Sequence, residues 1–471
     1  MSLRFFDTLT GEKRDFQPLE GVQVRMYTCG PTVYDYAHIG NFRAYLFEDL
    51  LRRYLKFKGF DVLQVMNLTD VDDKTIRGAL SQGVTLEHFT EPYVKAFFED
   101  LDALNIERAE VYPRATEHIP EMLSLIRRLK EKGHTYESEG SIYFSIATFP
   151  AYGRLSKMNL DQMRAGARVD VDEYEKADAR DFALWKRAKP DEPSWESEFG
   201  PGRPGWHIEC SAMSMKYLGE SFDVHTGGTD NVFPHHENEI AQSEGATGKQ
   251  FVNFWLHCEW LLVNGEKMAK SKGNFYTLRD LLAQGHAPMT IRFFLMSSHY
   301  RHQLNFTEDS LPQAASALQR LLDFRDRLER EEGAPVSAPE IPQLIAETSH
   351  NFIEAVDDDL NVPRALGHLF DFVREMNQAL GDQVVSAQDI GAARALLEKV
   401  DTVLGILAPR EEPIPEEVLR LVEEREAARR NKNYAAADQI RSHLLSLGYA
   451  LEDMRDGSRV KRAGVSPDAH E

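Results

Sequence analysis

The sequence predicts an α/β protein, built on a parallel sheet that an insertion interrupts and continued by an α-helical bundle and a small C-terminal module. Three observations predict it. Strand-like apolar runs alternate with helical stretches up to about Arg108 and again from Phe222 to His257. The segment Pro113 to Pro204 breaks that rhythm. From about Leu311 onward, apolar residues recur at a period of 3.6.

The elements follow in order. Val22 to Tyr27 alternates as a strand does, Asn41 to Lys58 carries Tyr45, Leu46, Leu50, Leu51, Tyr54 and Leu55 at helical spacing, and Val62 to Met66 reads as the next strand. Such a unit predicts a parallel sheet with ligands at the carboxyl ends of its strands. Within the insertion the pattern predicts a helix near Glu117–Lys132, a strand at Ser141–Ser145, and an acidic run punctuated by Gly and Pro. Phe222–His225 and Phe254–His257 resume the sheet. Helices are expected over Ala314–Glu332, Ile341–Asp357, Val362–Leu380 and Ala387–Leu407, and the Pro-rich stretch 409–415 reads as a linker. The resulting division is 1–112 and 205–260 as two halves of one domain, 113–204 as the insertion, and 261–310 as a loop-bearing region. A bundle at 311–408, a module at 416–462 and a tail at 463–471 complete it.

At 471 residues the chain is long enough for two to four domains. The composition, 42% hydrophobic and 28% charged, is that of a soluble globular protein. No stretch approaches the length of a membrane span, and the first residues lack the apolar core of a secretory signal. Three cysteines make no disulfide framework and suggest a reducing, cytoplasmic setting. A net charge of −21 argues against unspecific binding of polyanions. Arg420 to Arg462, however, holds ten Lys/Arg against seven Asp/Glu, with Arg425, Arg429, Arg430, Lys432 and Arg441 on predicted helices. That local surplus offers a basic face to phosphates, against the plainer reading of solvated helix surface. No long apolar seam demands a partner chain, so a monomer is expected.

Two signatures about 230 residues apart carry the chemistry. His38-Ile39-Gly40-Asn41 turns from a strand into a helix, where the backbone at Gly40 and the helix N-terminus can approach phosphates. Lys267-Met268-Ala269-Lys270-Ser271 is flanked by Gly265 and Gly273, which favour a mobile loop. Two ammonium groups on such a loop can meet a triphosphate as charge builds. Thr69 and Asp70 follow the second strand, where ligand contacts are expected, and His225, Gly228 and Asp230 follow a later one. There the glycines let backbone approach a ligand, and Asp230 can accept from a ribose. Cys29, Cys210, His235 and Glu239 form a donor set suited to tetrahedral zinc, the last two lying four apart on one helical face. Read alone, those cysteines are more readily small buried hydrophobes than ligands. Cys258, between Trp255 and Trp260, reads as core.

The motifs together resemble the cysteinyl-tRNA synthetase family, within the class I aminoacyl-tRNA synthetases. They comprise Tyr27 to Asp35 with Gly30, the His38 turn, Asn67 to Lys74, Gly205 to Met213, His225 to Gln242, the Lys267 loop and Asp358 to Leu366. The resemblance spans nearly the whole chain. It departs from the family pattern at Asn41 and Ala269, and again at Ser458 and Val460 after Gly457. It implies a class I synthetase Rossmann-like catalytic domain with a connective insertion, a stem-contact region and an anticodon-binding end. It also implies one Zn2+ on Cys29, Cys210, His235 and Glu239 that binds the thiolate of substrate cysteine. Gly30, His38, Gly40, Asn41, Gly228 and Asp230 are then expected around ATP and its Mg2+, with Lys267 and Lys270 on the transition state. Thr69, Trp206 and His225 belong to the cysteine pocket, and His207, His236 and His257 help to line it. The implied reaction makes cysteinyl-adenylate and passes cysteine to tRNA-Cys. A paralogous ligase that transfers cysteine to a small-molecule amine is the alternative, and a silent RNA-binding paralogue is the third reading.

Overall fold

The strand Gln23–Thr28 buries Val24, Met26, Tyr27 and Thr28, and its ladder partners lie on both sides. The structure, a computed structural model, describes residues 2–158, 181–407, 416–430, 433–447, 449–454 and 457–462. Most of the acidic run of the insertion, the linker, Lys432 and the tail lie outside the described residues.

Four parallel strands form the central sheet in the order Val252–Cys258, Phe222–Gly228, Gln23–Thr28, Asp61–Met66. The register sets Thr28 opposite both Met66 and Thr226, and Cys258 opposite Gly228. Cys29, Asn67 and Thr229 therefore leave the sheet along one edge, the carboxyl edge where ligands bind in such sheets. The helix Ile39–Phe57 begins two residues earlier than expected because His38 caps it: its Nδ1 accepts from Asn41 N while Asn41 Oδ1 accepts from His38 N. This helix is buried on nearly every side, polar Arg43, Glu48, Asp49 and Arg52 included.

The insertion supplies the helix Ile119–Glu131 and an antiparallel sheet of Thr135–Ser138, Ser141–Phe144, Phe182–Arg187 and Gly202–Pro204. Only the helix and the second of these strands were legible beforehand, since the other strands are short and punctuated. Its apolar faces continue the core beneath the main sheet, where Trp185, Phe144 and Ile126 join Tyr27, Phe222 and Trp255. Beyond the sheet, Leu261–Val263 pairs with Glu266–Lys267 and Leu304–Phe306, so the lysine loop springs from a hairpin.

The four bundle helices are Ser310–Arg330, Glu340–Asp357, Val362–Gly381 and Ala387–Leu404, each within a few residues of expectation. They dock through buried polar bonds. The Arg292 guanidinium reaches Asp49 at 2.6 Å and the Leu404 carbonyl at 2.9 Å, and Tyr54 donates to Asp357 at 2.8 Å. By contact density, residues 1–278 and 288–407 make one unit, and the described residues of 279–287 and 408–471 make a second. The second has its own core of Val418, Val422, Leu444, Tyr449 and Leu451 under the helices Glu416–Arg430 and Tyr434–Ser446 and the hairpin Tyr449–Met454/Gly457–Arg462. Among the described residues, no helix is long and apolar enough to cross a membrane.

Candidate active site

Three elements bring four donors together at the sheet edge. Cys29 follows its strand, Cys210 lies on the helix Trp206–Leu218, and His235 and Glu239 straddle the start of the helix Glu237–Thr247. One ligand atom from each lies within 4.8 Å of all the others. A second set, Cys29, His225, His236 and Glu239, meets the same limit. Sequence reasoning had placed His225 in the substrate pocket. In the structure it is fully buried, its Nε2 3.0 Å from Glu239 Oε2 and its ring stacked on Trp255. His236 Nε2 stands 3.2 Å from Cys29 Sγ, and its Nδ1 is 2.8 Å from His257, which in turn meets Thr8. His207 Nδ1 lies 2.9 Å from His235 Nδ1.

These donors perturb one another strongly. A hydrogen bond with Cys29 brings the Cys210 thiol down to about 6, although burial opposes it. The same bond, with burial, pushes Cys29 well up. Burial works against charge on His235, yet Cys210 and Glu239 lift it to about 10. Glu239, also opposed by burial, is held at about 2 by His225 and His235. Its Oε1 stands 3.1 Å from His235 Nε2 in a geometry that makes no hydrogen bond. Two thiols, an imidazole and this carboxylate, brought together, are the donor types that zinc takes.

Around this cluster the remaining residues fall into place unevenly. Trp206 is 37% exposed and lays its ring 4.2 Å from that of His235. Thr69 is buried, accepts from Asn67 Nδ2 at 3.1 Å and pairs with Thr32. Beside it, Asp70 accepts from the Thr116 hydroxyl at 2.6 Å and from Thr116 N at 2.9 Å. Gly30 is obligatory because a Cβ there would lie 1.9 Å from the Asn67 carbonyl oxygen. A Cβ on Gly228 would meet Asp230, and one on Gly40 would meet Met268, so the lysine loop packs directly on the His38 turn. Burial pushes His38 from an ordinary 6.5 to about 4, against the pull of Asp230. Because its Nδ1 accepts from Asn41 N, the proton of the neutral ring sits on Nε2. Asn41 spends its side chain on the cap rather than on the pocket. Cys258 is buried as core.

Both lysines have protein partners. Lys267 Nζ lies 2.8 Å from the centroid of the Trp260 ring, and Lys270 pairs with Asp35. Neither Trp260 nor Asp35 was singled out from sequence. Asp35 was visible only as the end of the Tyr27–Asp35 motif, three residues before His38, with no role attached to it.

Residues 15–316 match the family described as the tRNA synthetases class I (C) catalytic domain. Residues 351–408 match the DALR domain, and 411–460 the cysteinyl-tRNA ligase anticodon binding domain. The cysteine–tRNA ligase of Solibacter usitatus is 51% identical over 465 residues, covering 98% of this chain and 100% of that one. The Chlamydia trachomatis serovar A enzyme of the same name is 50% identical, with 98% and 100% covered. In fold alone, the chain resembles Mycobacterium tuberculosis methionyl-tRNA synthetase in complex with methionyl-adenylate. That match has a TM-score of 0.58 and 15% identity over 82% of this chain and 90% of that one. It likewise resembles Agrobacterium radiobacter K84 leucyl-tRNA synthetase in a ternary complex, with a TM-score of 0.61 and 11% identity over 83% and 85%. With its sheet, its signatures and this end-to-end likeness, the chain belongs to the cysteine–tRNA ligase family of class I tRNA synthetases.

Proposed function

We propose that the chain activates L-cysteine with ATP and Mg2+ to cysteinyl-adenylate and passes the cysteinyl group to the 3′-terminal adenosine of tRNA-Cys. The observation that carries this reading is the meeting of Cys29, Cys210, His235 and Glu239 at the sheet edge beside the His38 turn. These four would hold Zn2+, and we favour them over the set with His225 and His236 because two thiolates make the softer site. When bound, the metal supplies a soft Lewis acid for a substrate thiolate, a contact that a serine hydroxyl cannot match and that pocket size alone could not provide.

The chain's own residues do the rest. The helix that starts at Ile39 offers its positive end to the phosphates, and His38 donates from Nε2. Gly30, Gly40 and Gly228 let backbone approach the nucleotide, Asn41 holds the turn, and Asp230 accepts from ribose hydroxyls. Lys267 and Lys270 leave their protein partners for the phosphates as the cysteine carboxylate attacks the α-phosphorus and pyrophosphate departs. Thr69 and Trp206 bound the amino-acid pocket, with His225 orienting Glu239 from behind. A monomer acting in the cytoplasm suits this role. The anticodon-domain match over residues 411–460 supports a tRNA acceptor over a small-molecule amine. Charging of a tRNA-Cys transcript with labelled cysteine tests the reading, with serine as control. Cysteine-specific charging is expected, whereas adenylate formed without charging would favour the small-molecule ligase.

A further inference from the structure

The segment that carries Cys29 and His38 also carries a carboxylate with no part in the reaction described so far. Asp35 Oδ1 accepts from Tyr36 N at 2.8 Å, and Oδ2 pairs with Lys270. The loop is pinned at three places around that pair. Ile39 N donates to the Tyr276 carbonyl at 3.0 Å, Met268 packs on Gly40, and the Phe275 ring lies 5.1 Å from the rings of both His38 and, at its face, the Lys270 ammonium. The second ammonium, Lys267, rests on Trp260. Each signature cation thus rests on a protein group that imitates part of what a phosphate offers: negative charge from Asp35, a negative ring face from Trp260.

We infer that Asp35 is a positioning residue for the lysine loop. Its carboxylate holds Lys270 in the closed arrangement until the phosphates of ATP take the ammonium over. This deepens the reading given above and rests on it. An unpaired Lys270 would be repelled by Lys267 and Lys272 and would draw the loop outward. A permanent ion pair would instead compete with ATP. An exposed pair is weak enough to do neither for long, since such pairs contribute only about 0.2–1 kcal/mol. The exchange is therefore nearly balanced, and ATP binding need only tip it.

The test begins with the full-length protein free of nucleotide. Trypsin can cut the loop after Lys267, Lys270 and Lys272. Asp35→Asn is expected to raise the rate of cutting there by about 1.4- to fivefold, the span set by an exposed pair. Asp35→Glu should restore much of the protection, and ATP should protect all three proteins alike. In cysteine-dependent pyrophosphate exchange, Asp35→Asn should lower the ATP KM by a similar factor while kcat changes little. Unchanged loop cutting in Asp35→Asn would overturn the inference, and so would a rise in the ATP KM, which would make Asp35 a nucleotide contact. Loss of cysteine-dependent exchange in the wild-type protein would instead overturn the reading beneath it, while the proteolysis would still judge the loop.

Discussion

Glu48 stands on the buried face of the His38 helix, where its Oε1 accepts from Thr226 at 2.9 Å and its Oε2 has no partner. Burial lifts its carboxyl from an ordinary 4.5 to about 8, only partly offset by that hydrogen bond. Between those two values the folded chain keeps a proton that the unfolded chain has released. Stability should therefore fall as pH rises from about 5 to about 8. Glu48→Gln removes the titration, so it should match the wild type near pH 5 and exceed it at pH 9 by about 2 kcal/mol or more. Denaturant melts at the two pH values check this, and an equal gap at both would exclude the mechanism. His38 behaves in the opposite sense. Its value of about 4 means that it is neutral at pH 7, and no limb near 6.5 in the rate of adenylate formation should belong to it. A His38→Ala variant whose pH profile lost a limb near 6.5 would contradict that protonation state. At this scale the donor residues could be read from spacing and resemblance. The second histidine set could not, because nothing in a run of adjacent histidines tells which ring faces the thiols.

Helices and strands were legible wherever their apolar period was sustained. The four bundle helices and the strands expected at Val22–Tyr27 and Val62–Met66 fall close to their expected bounds, because burial on one stripe or one pleat writes itself into the sequence. Apart from Ser141–Phe144, the short strands of the insertion left no such trace. The bundle also joins the α/β unit more closely than sequence implied, since the contacts that seat it are polar and distant. Arg292 is the clearest case: fully buried, it donates to Asp49 and to the carbonyls of Leu104, Asn105 and Leu404. Arg292→Met would leave the Asp49 carboxylate with one guanidinium fewer and strand the Leu104 and Leu404 carbonyls, while Asn105 keeps its bond from Arg53. Breaking such a buried pair costs about 3–5 kcal/mol. The expected result is a lower midpoint in urea with an unchanged slope. A loss under about 1 kcal/mol would mean that water takes the place of the guanidinium.

In the whole molecule, the donors and both signatures lie in the unit formed by residues 1–278 and 288–407, while the anticodon-domain match lies in the other. A chain ended at Leu407 should keep cysteine-dependent pyrophosphate exchange. Its charging of tRNA should fall on the order of tenfold or more, equivalent to about 1.4 kcal/mol of lost binding. Equal loss of both activities would show that the C-terminal residues serve the first step as well. The donor cluster has a consequence in time as well as in space. Cys29 and Cys210 stand 181 positions apart, and Glu239 lies 29 beyond Cys210. During synthesis the first thiol emerges long before its companions, so no short nascent fragment can assemble the set or draw a metal ion away from other proteins. Only a chain made past Glu239 has all four donors, so metal capture by this set would report that every segment of the site has been synthesised.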